Sequence, residues 1–209
     1  MKQTKFNSFF REKINKKNIQ KLKNTTFTLI SNNCNAGFLY HDLGLKFRSP
    51  FINLWLKPDD FIKYLKNINH YMNQSLKFIK EDDISYPVAL LDDIKIYFMH
   101  YENEEIAREK WIERTKRIDL DNLFILFLDV ESCTYQNLLD FEALPFKNKV
   151  FFTNKKHYDL KTAFFIKGME NKLPIDHTYK FVNKFSGKKF YDQFNYIDWF
   201  NGTLNQENN

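Results

Sequence analysis

Short runs of apolar residues alternate along the chain with stretches in which apolar residues recur every three or four positions. Leu123–Leu128 is an unbroken apolar run, as expected for a strand buried on both faces of a parallel sheet. Shorter runs predict further strands at Thr25–Ser31, Val88–Leu91, Ile94–Met99, Lys149–Thr153 and Ala163–Ile166. The segments between these strands are long enough to hold helices.

The helical spacing predicts a helix from Pro58 to about residue 80, and further helices over Asn103–Arg117 and Thr134–Leu144. Proline in the first turn of the first helix and acidic residues in the first turn of the second are start signals. The same spacing predicts mostly helical structure over residues 174–200.

Alternation of strands and helices predicts an α/β fold: a single domain with a mostly parallel, Rossmann-like sheet covered by helices. We divide the chain into an N-terminal arm (1–24), an α/β domain (25–201) and a disordered tail (202–209). In open α/β sheets, ligands bind beyond the carboxyl ends of the strands. The predicted strand ends are Ser31–Cys34, His100–Tyr101, Asp129–Cys133 and Thr153–His157.

Positive charge is concentrated in the arm. Residues 1–24 contain eight basic residues and one acidic residue, whereas the chain as a whole has a formal net charge of +6. The nearly neutral remainder argues against nucleic-acid binding by the domain surface. Apolar residues of the arm recur every three or four positions, as in a basic amphipathic helix. Such a helix would contact an anionic membrane surface or a partner, or would pack on the domain with its lysines in solvent.

The cysteine content and the hydropathy of the chain predict where in the cell the protein is found. Cys34 and Cys133 are the two cysteines of the chain, so a disulfide framework and a cysteine-rich zinc site are excluded. The N-terminus has no apolar signal region, and no stretch approaches about 18 apolar residues. We therefore expect a cytoplasmic protein, with peripheral contact to the inner membrane through residues 1–24.

The segment that follows the first strand is the first candidate site. A thiol at Cys34, just after a strand and near a helix start, would have its pKa lowered by backbone N–H groups and the helix dipole. Asn32 and Asn33 would donate hydrogen bonds to an oxyanion. The alternative is a buried, inert cysteine in an asparagine-rich turn.

Candidate bases come from other positions. His100 ends a predicted strand and is followed by Tyr101, so it would act as a general base or serve as a hydrogen-bonded structural residue. His41, in the loop after Cys34, is the second choice. Asp129 follows the buried strand and would orient the base. The histidines show no metal-ligand spacing, so we expect no metal site.

Basic residues offer two phosphate contacts. Arg114 and Arg117 lie at a predicted helix end, where they would complement the helix dipole or bind a phosphate. Arg48–Ser49 is a weaker candidate. The common nucleotide-binding and hydrolase motifs are absent from the sequence.

Six segments carry a resemblance, in order along the chain: Ile30–Tyr40, Asp42–Pro50, Ile94–Ile118, Asp121–Phe127, Leu144–Thr153 and Tyr191–Asn201. Together they resemble a bacterial exopolysaccharide-biosynthesis family of otherwise unknown function. Members of that family lie in capsule and surface-glycan gene clusters, and some are labelled acetyltransferase. The strand followed by Asn33 and Cys34 is also similar to the start of a capsule acetyltransferase family that binds coenzyme A. Its proposed nucleophile falls on Cys34.

The resemblance implies a transferase of surface-polysaccharide biosynthesis that moves an acetyl group from acetyl-CoA to a sugar hydroxyl. Cys34 would be the nucleophile or acyl-binding residue, with His100 as base and Asp129 as its orienting group. Arg114 and Arg117 would contact the phosphates of coenzyme A. We expect a glycan or lipid-linked sugar as substrate and no tightly bound cofactor.

Two other classes stay open. A glycosyltransferase would bind a sugar nucleotide through Asp129 or Asp92–Asp93, with or without a divalent cation. A non-catalytic glycan-assembly protein would tolerate substitutions at all of these residues, provided that it still folds.

Overall fold

A four-stranded parallel sheet forms the centre of the fold. The computed structural model describes residues 5–157, 159–170 and 175–204. The spatial strand order is β1, β5, β6, β7, and all neighbours are parallel. The strands are β1 (Thr28–Ser31), β5 (Leu123–Leu128), β6 (Lys149–Thr153) and β7 (Ala163–Phe165). The predicted single-domain α/β class with a mostly parallel sheet is confirmed.

A separate antiparallel sheet is inserted between β1 and β5. Its strands are β2 (Leu76–Ile79), β3 (Val88–Leu91) and β4 (Ile94–Tyr97), in spatial order β2, β3, β4. Asp92 and Asp93 form the turn between β3 and β4, and Asp92 has a positive φ of 58°. The sequence patterns did not predict that these three strands form a sheet of their own.

The prediction of one helix from Pro58 to about residue 80 was wrong at its C-terminal end. Helix α3 (Pro58–Lys66) is followed by the short α4 (Ile68–Met72), and the next apolar residues belong to β2. Leu76 and Ile79 keep a three-residue spacing, but β2 pairs along its full length with β3. Pairing with a distant strand therefore overrides the local spacing.

Helices cover the sheets, and two of them begin at well-formed side-chain caps. Asn103 caps α5 (Glu104–Thr115) by accepting a hydrogen bond of 2.9 Å from the Ile106 N–H group. Thr134 forms a capping box at the start of α6 (Tyr135–Glu142). These two helices agree with the predicted ranges.

Two hydrophobic clusters lie on the two faces of the parallel sheet. Ile125 and Phe127 of β5 point into one cluster, whereas Phe124, Leu126 and Leu128 point into the other. This alternation explains the unbroken apolar run, because both faces of β5 are covered.

The C-terminal segment differs from the predicted, mostly helical structure. It contains two short 3-10 helices, Ile175–His177 and Phe190–Gln193, and a bridge between Phe181 and Lys189. In its described part, α7 (Tyr196–Phe200) is the one α-helix. Most of its core residues lie on these short helices, so the helix-like spacing here marks short helical pieces rather than a mostly helical segment.

The N-terminal arm contains helix α1 (Lys5–Lys21), which packs on the domain through polar side chains. The buried Arg11 guanidinium lies 2.9 Å from an Asp42 carboxylate oxygen and 2.5 Å from one of Asp192. The Asn18 side chain donates to the Tyr196 hydroxyl at 2.7 Å. The helix is thus fixed to the domain rather than extended from it.

Two remaining predictions concern the ends and the hydropathy of the chain. Residues 205–209 of the predicted disordered tail lie outside the described residues. Among the helices that the structure describes, none is long and apolar enough to cross a membrane.

Candidate functional site

A cavity of about 660 Å³ opens where β1 and β5 end. This is the edge at which ligands bind in open α/β sheets. The cavity walls come from the segments after β1 and β5, from α2 (Asn35–Asp42), from the residues just before α3, from the residues just after β4 and from the C-terminal segment. The lining residues are Asn32, Asn33, Cys34, Phe38, Trp55, Leu56, Met99, His100, Val130, Glu131, Ser132, His177 and Tyr179.

Asn32 joins the ends of the two strands. Its side-chain amide donates to the Leu128 carbonyl at 3.1 Å and its side-chain oxygen accepts from the Leu128 N–H group at 3.0 Å. The side chain is almost fully buried. Both ends of the amide group are used in this contact, so Asn32 positions the strand ends. The contact does not support the predicted role of oxyanion donor.

Asn33 organises the turn that leads into α2. Its side-chain oxygen accepts hydrogen bonds from the Asn35 backbone N–H group at 3.0 Å and from the Asn35 side chain at 2.9 Å. The Asn35 side-chain oxygen in turn accepts from the Thr178 hydroxyl at 2.7 Å. The hydrogen bonds that the structure gives the Asn33 side chain all use its oxygen, and Asn33 is a lining residue of the cavity.

Cys34 is the N-terminal cap residue of α2 and is half-buried in the cavity wall. Its Sγ atom lies 3.9 Å from the Leu54 carbonyl oxygen and 4.0 Å from the Met99 sulfur. The thiol therefore faces a mostly apolar surface at the positive end of a helix dipole. That location is the one the sequence predicted for it.

Cys133 has a different environment and does not line the cavity. Burial raises the pKa of its thiol well above the ordinary value, and the neighbouring Asp129 carboxylate adds to this rise. Asp129 itself accepts a hydrogen bond of 2.8 Å from the Thr153 hydroxyl. The structure thus gives Asp129 the partners Thr153 and Cys133, and these contacts do not support its predicted role of orienting His100.

His100 lines the same cavity as Cys34, as the sequence suggested. Its backbone N–H group donates to the Asn53 carbonyl at 3.3 Å, and its side chain is exposed. Glu131 and Ser132 also line the cavity; they belong to the predicted strand end Asp129–Cys133, although neither was named as a site residue. His177 is a further polar lining residue, which reaches the cavity through the folding of the C-terminal segment.

The predicted phosphate contacts lie outside the cavity lining. Arg114 donates to the Tyr101 hydroxyl at 2.6 Å, and Arg117 donates to the Phe47 carbonyl at 2.9 Å. The Ser49 hydroxyl is fully buried and accepts from the Phe51 N–H group. These internal contacts do not support a phosphate-binding role.

Arg48 and His41 also stay outside the lining. His41 is exposed and belongs to helix α2 rather than to a loop. Arg48 is half-buried, and its side chain is absent from the cavity wall that the structure describes. His41 is therefore poorly placed to serve as the alternative base at the cavity.

Tyr101 lies close enough to Cys34 for their charges to interact. Burial raises the pKa of the Tyr101 hydroxyl, a charge on Cys34 adds to the rise, and the Arg114 guanidinium opposes it. The hydroxyl donates to the Ile52 carbonyl at 2.8 Å. Arg114 and Tyr101 thus form a hydrogen-bonded pair beside Cys34, outside the cavity lining.

Asp92 and Asp93 face other partners at the β3–β4 turn. Asp92 lies 2.7 Å from a His70 ring nitrogen, and Asp93 forms an ion pair with Lys63. Neither aspartate lines the cavity. These contacts do not support the role that the glycosyltransferase alternative gave to the pair.

A parallel sheet with a ligand-sized cavity at its carboxyl edge defines the class: an α/β protein with a cavity at the strand ends. Within that class, the chain belongs to the family described as "Domain of unknown function (DUF1919)", which matches residues 5–201. It is also similar to an uncharacterized protein of Haemophilus influenzae, with 47% identity over 188 residues and 90% of each chain covered. The family match includes α1, so the N-terminal helix is part of the family's domain.

Proposed function

We propose that the protein is an acyltransferase that carries an acetyl group on Cys34 and passes it to a sugar hydroxyl. The observation behind this proposal is that Cys34 and His100 line one cavity together with aromatic and polar side chains. A nucleophile and a base that share a ligand-sized cavity are the minimum set for covalent acyl transfer.

The reaction would proceed in two balanced steps. His100 accepts the Cys34 thiol proton, and the thiolate attacks the carbonyl carbon of acetyl-CoA to form a thioester on Sγ. The bond from that carbon to the coenzyme A sulfur breaks, and His100 returns the proton to the leaving thiolate. A sugar hydroxyl then attacks the Cys34 thioester while His100 accepts the hydroxyl proton, which forms the oxygen ester and restores the cysteine. The Asn33 amide nitrogen is the side-chain donor available to the oxyanion in both steps.

The cavity lining also suits a sugar acceptor. Phe38, Trp55 and Tyr179 offer aromatic faces on which the apolar side of a sugar ring packs. Glu131 and Ser132 offer hydrogen-bond partners to sugar hydroxyls. The lining described here contains no lysine or arginine, so the phosphates of acetyl-CoA would stay outside the cavity and only its thioester end would enter.

The biological setting of the proposal rests on the resemblance described above. It places the acceptor in a capsule, exopolysaccharide or lipopolysaccharide, or in the lipid-linked precursor of one. Because acetyl-CoA is a cytoplasmic metabolite, we propose that the reaction takes place in the cytoplasm. We propose no tightly bound cofactor and no nucleic-acid partner.

A glycosyltransferase is the second candidate. The observation that favours it is the exposed carboxylate of Glu131, which lines the cavity just after β5. In that mechanism Glu131 would activate the acceptor hydroxyl, and Cys34 would contribute only to the cavity wall.

Incubation with acetyl-CoA followed by peptide mass spectrometry separates the candidates. The acyltransferase predicts an acetyl adduct on the Cys34 peptide that disappears in Cys34→Ser and persists in the matched control Cys133→Ser. Melting curves with coenzyme A and with a panel of sugar nucleotides complete the test, because a ligand that binds the native state raises the melting temperature.

Absence of an adduct, with a melting shift caused only by a sugar nucleotide, would replace the acyltransferase by the glycosyltransferase. No adduct and no shift across the panel would favour a non-catalytic glycan-assembly protein.

A further inference from the structure

Helix α1 presents its polar residues to the domain and its aromatic residues to the outside. The inward positions hold Asn7, Arg11 and Asn18, which bond to the domain. The outward positions hold Phe6, Phe9 and Phe10, whose exposed fractions are 66%, 54% and 38%. The arrangement is the reverse of an ordinary surface helix, in which the apolar stripe packs on the core.

A loop of the C-terminal segment extends this apolar surface. Phe185 is 83% exposed and Val182 is 42% exposed. The Asn7 side chain holds the loop against α1 by donating to the Asn183 carbonyl at 2.9 Å and the Ser186 carbonyl at 2.5 Å. We call the combined surface the aromatic face; it consists of Phe6, Phe9, Phe10, Val182 and Phe185.

Gly187 shows how closely the loop and the helix approach each other. A Cβ atom at this position would lie 2.5 Å from the Phe10 carbonyl carbon, closer than real contacts allow. The two parts of the aromatic face therefore form one surface rather than two neighbouring patches.

Exposed lysines accompany the aromatic face. Lys13, Lys16 and Lys17 follow Phe9 and Phe10 along the outward side of the helix, and the Lys13 amine lies 4.3 Å from the centre of the Phe9 ring. Lys184 and Lys188 flank Phe185 in the loop. Residues 182–188 contain no acidic residue, and Glu12 is the single acid of α1.

We infer that the aromatic face docks on a lipid bilayer that contains anionic lipids. Phenylalanine side chains enter the boundary between headgroups and acyl chains, while lysines at the same surface contact lipid phosphates. A protein partner suits this composition less well, because the centres of protein interfaces are depleted in lysine. The inference does not depend on the transferase proposal, since none of these residues lines the cavity.

Helix α1 contacts the membrane while it stays attached to the domain. The Arg11 ion pairs with Asp42 and Asp192 hold α1 in place from its inner side. Membrane contact therefore needs no release of the helix from the domain, in contrast to a flexible arm. The depth of insertion is limited to the side chains of the aromatic face.

Co-sedimentation with vesicles tests the inference with the full chain. Wild-type protein should sediment with vesicles of phosphatidylcholine plus phosphatidylglycerol, and much less with phosphatidylcholine alone. The single variants Phe9→Ser and Phe185→Ser should each weaken vesicle binding by about tenfold. Lys13→Gln and Lys17→Gln should each weaken it by about fivefold at low salt.

Ile112→Ser is the matched control, because Ile112 is a 49% exposed apolar residue on α5. It should leave vesicle binding unchanged, and melting curves should show that every variant is folded. Wild-type protein that stays in solution with anionic vesicles would overturn the inference, as would binding that is insensitive to Phe9→Ser and Phe185→Ser. Sedimentation velocity showing a dimer that these two substitutions dissociate would assign the face to a second copy of the chain instead.

Discussion

The two cysteines differ in the groups that surround their thiols. Cys34 caps α2 at the wall of an open cavity, whereas burial and the Asp129 carboxylate raise the pKa of Cys133. A thiol reacts as its thiolate, so a raised pKa slows its alkylation. The chemistry of a residue type is therefore set here by its immediate neighbours.

We expect iodoacetamide at neutral pH to label Cys34 at least about tenfold faster than Cys133, because each unit of pKa separates thiolate populations by a factor of ten. Peptide mass spectrometry over a time course gives both rates in one sample. Cys34→Ala should leave the slow labelling of Cys133 unchanged. Equal rates at the two cysteines would show that the assigned environments are wrong.

Asn32 offers a second prediction at this scale. Asn32→Ala removes two hydrogen bonds and leaves the buried Leu128 N–H and carbonyl groups without their side-chain partner. An unsatisfied buried polar group costs about 1–3 kcal/mol, so the free energy of unfolding should fall by about 2–4 kcal/mol. Urea unfolding measures the change.

An Asn33→Ala variant provides the comparison, because its contacts stay within one turn and do not link the two strands. The loss in Asn32→Ala should exceed the loss in Asn33→Ala. The reverse order would mean that the turn, rather than the link between β1 and β5, stabilises the strand ends.

Among the helices, α1 is held on the domain by a buried group of two positive and two negative side chains. Arg11 and Lys189 carry the positive charges, and Asp42 and Asp192 the negative ones. Burial opposes ionisation of Asp42, but Arg11 and Lys189 outweigh it and hold the pKa of this carboxyl below the ordinary value of 3.8. The Tyr191 hydroxyl adds a further hydrogen bond to the same carboxylate.

Asp42→Asn should therefore lower the free energy of unfolding at neutral pH by about 3–5 kcal/mol, since it removes the carboxylate that Lys189 and Arg11 share and leaves Arg11 paired with Asp192 alone. The control is Lys63→Ala, which removes the exposed pair with Asp93 and should cost less than about 1 kcal/mol. Urea unfolding of the two variants at pH 7 measures both losses. Equal losses would contradict the view that burial makes the Asp42 contacts important.

The same contacts predict a pH dependence with a definite sign. Because the folded-state pKa of Asp42 lies below its unfolded value, its contribution is fully present above about pH 4 and is lost as the pH falls through the folded-state pKa. The stability gap between wild type and Asp42→Asn should shrink in that acidic range. A gap that stays constant down to pH 2 would argue against an ionised Asp42 in the folded protein.

Across the whole fold, the sequence predicted the elements that a local pattern marks. It missed the features that depend on contacts between distant segments of the chain. The apolar run of β5 and the Asn-Cys turn after β1 carry local signals, so the parallel sheet and the position of Cys34 at its edge were predictable. Apolar runs also predicted β3 and β4, but not β2, which is defined by its pairing with β3. His177 ends a short 3-10 helix and Tyr179 follows it, and no local pattern predicted that these two residues reach the cavity.

The cavity is a property of the whole molecule because five separate parts of the chain form its wall. Ser132, an exposed lining residue after β5, is a suitable place to fill it. Ser132→Trp should occupy the cavity without disturbing the core, and Ser75→Trp is the matched control at an exposed position outside the lining. Both variants should unfold at urea concentrations close to that of wild type.

Acetylation of Cys34 by acetyl-CoA should then slow by at least about tenfold in Ser132→Trp, since an acyl donor must lie within about 3–3.5 Å of the nucleophile to react. Ser75→Trp should acetylate at the wild-type rate. The rate at which iodoacetamide alkylates Cys34 should fall less in Ser132→Trp than the rate of acetylation, because iodoacetamide is much smaller and occupies less of the cavity. If Ser132→Trp left both rates unchanged, Cys34 would be reached from outside this cavity, and the cavity would lose its assigned place in the reaction.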